Sequence, residues 1–209
     1  MSEIGRRPPR RLAWPAVLVV CLFPATSHAH APIEGVNEII NGLLHPIITP
    51  SHLLILLGLG LWIGQRQPLD LKTPLLVFAP VSALALAGTT AGLVTTVYPP
   101  ILLALALAGG VLVATAKELP PLVIQLLAGG AALLLGLDSR VEAGDTLAVV
   151  KTLAGIWISL LIVLCDVAIY GSYAAKRKWM QVGTRVLGSW IVAISMLVLA
   201  FALRKPVAP

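Results

Sequence analysis

Charge is what this sequence lacks most. Only 11% of its 209 residues are charged, whereas 58% are hydrophobic, and the mean hydropathy is +0.94. Because a water-soluble domain carries about 25% charged residues, this chain has too little polar surface to cover a soluble globule. The apolar residues also come in runs of about 20, the length at which a helix crosses a bilayer. The sequence therefore predicts an all-α, polytopic membrane helix bundle whose surroundings are the lipid bilayer.

Cysteines and catalytic patterns are equally scarce. Cys21 and Cys165 are the only cysteines, and both lie inside apolar runs, so there is no disulfide framework and no CxxC site. No histidine lies deep in an apolar run, where it could serve as the base for a serine nucleophile. No phosphate-binding loop pattern is present either. We therefore expect no catalytic residues, no organic cofactor and no enzymatic activity.

The positive charge is distributed as a topology signal. The net charge is +6, but the basic residues fall at the N-terminus and in short connectors rather than in one patch, so no nucleic-acid partner is expected. Those that indicate the topology are Arg6, Arg7, Arg10, Arg11, Arg66, Lys72, Lys117, Lys176, Arg177, Lys178 and Arg185. Basic connectors face the cytoplasm. The sequence thus predicts a multi-pass protein of the bacterial inner membrane, with the mature N-terminus and the C-terminus on the periplasmic side.

Residues 1–29 have the pattern of a secretory signal peptide. Arginines precede an apolar stretch, and the small residues Ser27 and Ala29 follow at the positions that a signal peptidase reads. The alternative is an uncleaved signal anchor. Cleavage after Ala29 would make His30 the new N-terminus, whose α-amine and imidazole could chelate a metal together. Otherwise His30 is merely a polar residue near a chain end.

Residues 30–209 are expected to form a single six-helix transmembrane domain. Residues 33–44 have the helical spacing of a short amphipathic segment at the outer interface, and we expect His45 and Pro46 to end it. The predicted spans are 50–64, 74–96, 101–116, 121–137, 147–173 and 184–203. Their glycines are interpreted as helix-packing positions, since small residues let helices approach closely in lipid.

The chemistry is concentrated in residues 42–64, where His45 and His52 flank Pro46 and Pro50. Ionisable side chains this close to a bilayer are by default functional. In one continuous helix the two histidines would lie about 10 Å apart along the axis, but a break at the prolines would bring them closer. Imidazole suits nickel, cobalt, copper, zinc or iron. The alternative is that each histidine bonds to backbone or water at the interface.

Three acidic side chains are further candidate functional residues. Asp166 lies within the fifth predicted span, where a carboxylate must face a partner or a water-filled cavity. It could be a metal ligand, a proton relay or a hydrogen-bond acceptor, and it could instead guard an inner exit away from the histidines. Asp138 and Glu142 lie in an outer connector, where they either attract cations or are solvated loop acids.

The string HPIITPSHLLILLGLGLWIGQ resembles the signature of the HupE/UreJ family of nickel and cobalt permeases, which accompany hydrogenase and urease. That signature reads roughly H-P-x-x-G-x-D-H-L-L. The matching residues are His45, Pro46, His52, Leu53, Leu54, Gly60 and Trp62. The string RVLGSWIVAISMLVLAF is similar to the last span of the family. The chain departs from the pattern at Thr49 and Ser51, which stand in place of a glycine and an aspartate, and it lacks the His-Gly-x-x-His-Gly pattern of the fourth span.

The resemblance implies a permease or binding protein for a divalent transition metal, with nickel or cobalt as the substrate. The metal-handling residues would be His45 and His52, with Ser51, His30 and Asp166 as further candidates. The alternative is a non-transporting membrane subunit or scaffold that binds a metalloenzyme or accessory membrane subunits.

Overall fold

The protein is a bundle of helices in its described parts. A computed structural model describes residues 37–92, 97–141 and 145–203. The helices in these ranges are α1 (Glu38–Ile48), α2 (Pro50–Gly64), α3 (Lys72–Thr90), α4 (Pro99–Thr115), α5 (Pro121–Asp138), α6 (Thr146–Ala175) and α7 (Lys178–Leu203). No strand occurs in them, so the predicted all-α class is confirmed.

Several of these helices meet the requirements for crossing a membrane. Helices α3, α5, α6 and α7 are each long and apolar enough, and α1 and α2 qualify together as a pair that is bent by 70°. Helix α4 is shorter, with 17 residues, or about 25 Å at 1.5 Å per residue. The described residues therefore contain four or five spans by length and composition. Six passages remain a prediction, which requires α4 to cross as well.

Helix α2 lies at the centre of the bundle. It packs against α4 on one side and α6 on another, while α1 packs on α6 and α7 on α4. Most of the residues of α2 are buried, and the helix is apolar on all sides, as expected for a helix surrounded by protein. Helices α3 and α5 pack mainly against each other. His52 thus lies on the most enclosed helix of the described residues.

Glycines lie where the central helices cross, which agrees with their predicted packing role. At the crossing of α1 and α6, a Cβ atom on Gly42 would lie 2.9 Å from the backbone nitrogen of Ile156 and 3.0 Å from Cα of Gly155. Similar close approaches involve the pairs Gly58 and Gly109, Gly64 and Gly171, and Gly110 and Gly188. Because no hydrophobic force drives helices together in lipid, this close contact provides much of the attraction.

The loop after α2 joins the helices at the end of the bundle away from the histidines. The Gln65 side chain donates to the Val113 carbonyl at 3.1 Å, the Arg66 guanidinium donates to the Leu119 carbonyl at 2.8 Å, and the Gln67 amide donates to the Ser172 hydroxyl at 3.1 Å. Such bonds satisfy carbonyls near helix ends. They also place basic connectors together at one end, the end that the charge rule assigns to the cytoplasm.

Some predicted boundaries are wrong. The interfacial helix was expected to end at residue 44, but α1 continues through Pro46 to Ile48. Proline removes its own N–H donor and crowds the carbonyl four residues before it, but the next turn still forms, with the Thr49 N–H bonded to the His45 carbonyl at 3.1 Å. Residues 1–36, which include the predicted signal peptide and the start of that helix, lie outside the described residues.

The ends of two later spans also differ from expectation. Helix α3 ends at Thr90 rather than 96, and the turn that follows contains Gly92 with a positive φ of 70°; residues 93–96 are outside the described ranges. Helix α7 begins at Lys178, six residues before the predicted start at 184. Hydropathy marks the apolar part of a helix, whereas lysine, glutamine and arginine extend helices readily beyond it.

The glycine at the α1–α6 crossing provides a test of the packing. We expect Gly42→Ala to lower the free energy of unfolding by about 1–3 kcal/mol, because the added methyl group has no room against the α6 backbone. Thermal unfolding in detergent measures this. Gly130→Ala is the matched control, since a Cβ atom there has nothing within 4 Å. An equal loss of stability in both variants would contradict the close packing of α1 on α6.

Candidate metal site

The candidate site is built around the bend at Thr49. This residue is extended, with φ −88° and ψ 107°, between two helices whose axes differ in direction by 70°. Pro50 is the first residue of α2, a position that suits proline because its missing N–H would be unsatisfied there anyway. The bend brings His45, in the last turn of α1, beside His52, in the first turn of α2. Their ring centroids are 5.3 Å apart and the rings meet edge to face at 76°.

A carboxylate from a third helix completes the group. Asp138 is the last residue of α5, and its Oδ2 lies 2.9 Å from Nε2 of His52. The side chain of His52 is 0% exposed and that of Asp138 is 14% exposed. The sequence left Asp138 either as a cation-attracting residue or as a solvated loop acid, but the structure gives it a protein partner. One sequence feature could have indicated this pairing: Asp138 directly follows an apolar run, on the side of the membrane predicted for the histidines.

The ends of the surrounding helices favour a cation. The C-terminal end of a helix carries about half a negative charge and the N-terminal end about half a positive charge. His45 lies in the last turn of α1 and Asp138 ends α5, so two negative helix ends and one carboxylate meet the single positive end of α2. This balance is suited to a positively charged ligand.

Two polar atoms at the bend are buried without a hydrogen-bond partner among the described residues, namely the hydroxyl of Thr49 and Nδ1 of His52. Nearly all buried polar atoms in native proteins are hydrogen-bonded, so these two atoms are available to bond a water molecule or a ligand. Thr49 precedes α2 as its N-cap but makes no side-chain cap bond. The sequence analysis noted it only as a departure from the family signature and did not consider it as a ligand.

The remaining predicted site residues are placed separately. Ser51 is half-buried in the first turn of α2. Asp166 is exposed on α6, next to the turn of α6 that contacts Gly60, eight residues or about 12 Å along α2 from His52. The structure therefore does not bring Asp166 to the histidines. His30 and Glu142 lie outside the described residues.

The donor set at the bend is small. Within residues 37–92, 97–141 and 145–203, no group of three or more His, Cys, Asp or Glu side chains has the arrangement of a metal centre. The site instead consists of two imidazoles in contact, one of which is hydrogen-bonded to a carboxylate. Such an arrangement can offer imidazole nitrogen to a borderline-soft divalent ion.

Helix α6 holds the bend in place. The Ser159 hydroxyl donates to the carbonyl of Leu43 in α1 at 2.7 Å, close to the glycine crossing at Gly42. The packing of α1 on α6 and this hydrogen bond thus both hold α1 against α6. The position of His45 therefore depends on α6.

These features define a helical membrane protein with a buried histidine pair at the bend between two helices. The family model described as HupE / UreJ protein matches residues 18–198, which is most of the chain. The chain belongs to the HupE/UreJ family, as the motif in residues 42–64 indicated. This family is associated with nickel or cobalt uptake or with metalloenzyme maturation, and it is not a known enzyme family. No curated protein and no solved structure matches the chain.

The Ser159 contact can be tested by removing one oxygen atom. We expect Ser159→Ala to lower the free energy of unfolding by about 1 kcal/mol and to speed amide hydrogen exchange in residues 38–48, because α1 loses a hydrogen bond to α6. Ser189→Ala is the control, since that hydroxyl is exposed and bonds within its own helix. Unchanged exchange in α1 would show that packing alone fixes its position.

Proposed function

We propose that the protein is a permease that admits a divalent transition metal, nickel or cobalt first, and that His45 and His52 capture the ion at the outer mouth. The observation that carries this proposal is the 5.3 Å approach of the two rings at the bend. Two imidazoles in contact, buried in an otherwise apolar bundle, have a clear chemical use as ligands. The family association with nickel and cobalt supports these metals as the substrates.

The architecture of the site supports passage of an ion. Transporters commonly place their ion sites at broken helices, where helix C-terminal ends coordinate the cation. The bent pair of α1 and α2 has this form. A site with few ligands also suits transport, because an ion must bind favourably enough to enter and weakly enough to leave. Thr49 and Ser51 can add oxygen ligands from the same turn.

The proposed direction is from the periplasm to the cytoplasm. The histidines lie at one end of α2, and the basic connectors with Arg66 and Lys117 lie at the other. The charge rule assigns the basic end to the cytoplasm, so the site would open outward. The mature N-terminus and the C-terminus would then both be periplasmic.

Metal uptake tests the capture role. We expect cells that express the wild type to accumulate nickel or cobalt above an empty-vector control, in a screen that also includes copper, zinc and iron. The His45→Ala/His52→Ala double variant should lose at least 90% of this gain, because it removes both imidazole ligands. Metal content is measured by elemental analysis at equal membrane abundance.

A matched control separates ligand loss from damage to the bundle. Ser82→Ala also changes a buried polar side chain, but that hydroxyl bonds within α3 to the Phe78 carbonyl at 2.7 Å, so uptake should remain. If the wild type accumulates no metal, the permease proposal fails. Copurification of metalloenzyme subunits would then support the scaffold alternative.

Asp166 is proposed to act apart from capture, as a proton relay or at an inner exit. We expect Asp166→Asn to leave the metal concentration at half-maximal uptake within about twofold of the wild type, because about 12 Å separates it from His52 along α2. A lower maximal rate would support the relay role. A large rise in the half-maximal concentration would instead make Asp166 part of the capture site.

A further inference from the structure

We infer that His52 binds its metal ion through Nδ1, and that Asp138 is the positioning residue that makes this nitrogen the ligand. This inference rests on the proposed function and assigns the atoms of the same site. It follows from the hydrogen bond on one side of the imidazole ring and from the burial of the nitrogen on the other side.

The first step concerns Nε2 of His52. Its distance of 2.9 Å from Oδ2 of Asp138 is that of a strong hydrogen bond. An ionised carboxylate has no proton to donate, so Nε2 carries the hydrogen and donates it. A nitrogen that donates in this way has no lone pair left for a metal ion.

The second step concerns Nδ1 of His52. In the tautomer that Asp138 selects, Nδ1 keeps its lone pair. This atom is buried and has no hydrogen-bond partner in the parts of the chain that the structure describes. One polar group at the same bend is the Thr49 hydroxyl, which also lacks a partner there, and the adjacent ring is that of His45. Nδ1 of His52 therefore lies at the same bend as two further potential metal ligands, the Thr49 hydroxyl and the His45 imidazole.

The third step concerns the effect of the carboxylate on the metal. A metal-binding histidine usually donates its other ring N–H to a carboxylate or carbonyl, which fixes the ring and makes the ligand nitrogen more basic. Loss of such a partner typically lowers metal affinity by 10–100-fold. Asp138 is therefore a determinant of affinity although it does not touch the ion. It is also supplied by α5, a helix that carries none of the histidines.

Nitrogen NMR of the full chain in detergent tests the assignment directly. The chain has four histidines, so selective ¹⁵N-histidine labelling gives few signals, and a His52→Gln variant identifies those of His52. At about pH 8, we expect the metal-free wild type to carry the His52 proton on Nε2. Added zinc(II), a diamagnetic probe, should shift the Nδ1 resonance and leave the proton on Nε2.

Two substitutions of Asp138 separate positioning from folding. Asp138→Ala removes the acceptor, so His52 should become a mixture of tautomers and the zinc(II) affinity, measured by calorimetry, should fall 10–100-fold. Asp138→Asn keeps an acceptor oxygen, so the tautomer and part of the affinity should be retained. Asp70→Ala is the control, because that exposed carboxylate lies in the loop after α2 and bonds to the Thr73 N–H.

The outcomes are distinguishable. If zinc(II) binds the wild type but is ligated by Nε2, with the proton on Nδ1, the assignment is overturned while metal capture by His52 stands. If Asp138→Ala binds zinc(II) as tightly as the wild type, the positioning role of Asp138 is overturned. If the wild type binds neither zinc(II) nor cobalt(II), the proposed function itself fails, and the ligand assignment fails with it.

Discussion

The bend at Thr49 is the constraint on which the site depends. It converts a spacing of seven residues into a contact between two rings, His45 and His52, that a straight helix would hold about 10 Å apart. A bend by itself would leave α1 free to move relative to α2. The glycine crossing with α6 and the Ser159 hydrogen bond to Leu43 fix its direction. The local chain geometry and the packing of a distant helix therefore both contribute to forming this pair of imidazoles.

Much of the fold could be predicted because the bilayer limits what an apolar chain can form. Backbone groups in lipid must bond within their own helix, so each long apolar run became a helix close to its predicted position. The contact of His45 with His52 was also predictable, since two prolines marked the break. The end of α1 could not be predicted. The residue before a proline disfavours the helical conformation, but the packing of α1 on α6 overrides that preference at His45.

The pairing of Asp138 with His52 could not be predicted from one sequence. The two residues are 86 positions apart, and their approach depends on how α5 sits against the bundle. Composition and periodicity report which face of a helix is apolar but not which helix it meets. The signature in residues 42–64 did not point to Asp138 either, because its own aspartate position is occupied by Ser51 in this chain. The carboxylate reaches the second histidine from another helix, which only the assembled structure reveals.

The hydrogen bond between Asp138 and His52 also links the α3–α5 pair to the rest of the bundle. Helices α3 and α5 pack mainly on each other, and polar bonds link this pair to the rest: His52 to Asp138, Trp157 to the Ala79 carbonyl, and Arg66 to the Leu119 carbonyl. Such bonds are strong where the local dielectric is low. A metal ion bound to His52, as proposed above, would withdraw electrons from the ring, make its N–H a better donor and strengthen the first link. On that proposal, ion binding would be coupled to the position of α3 and α5, to the extent that the ion binds more tightly when this link is formed.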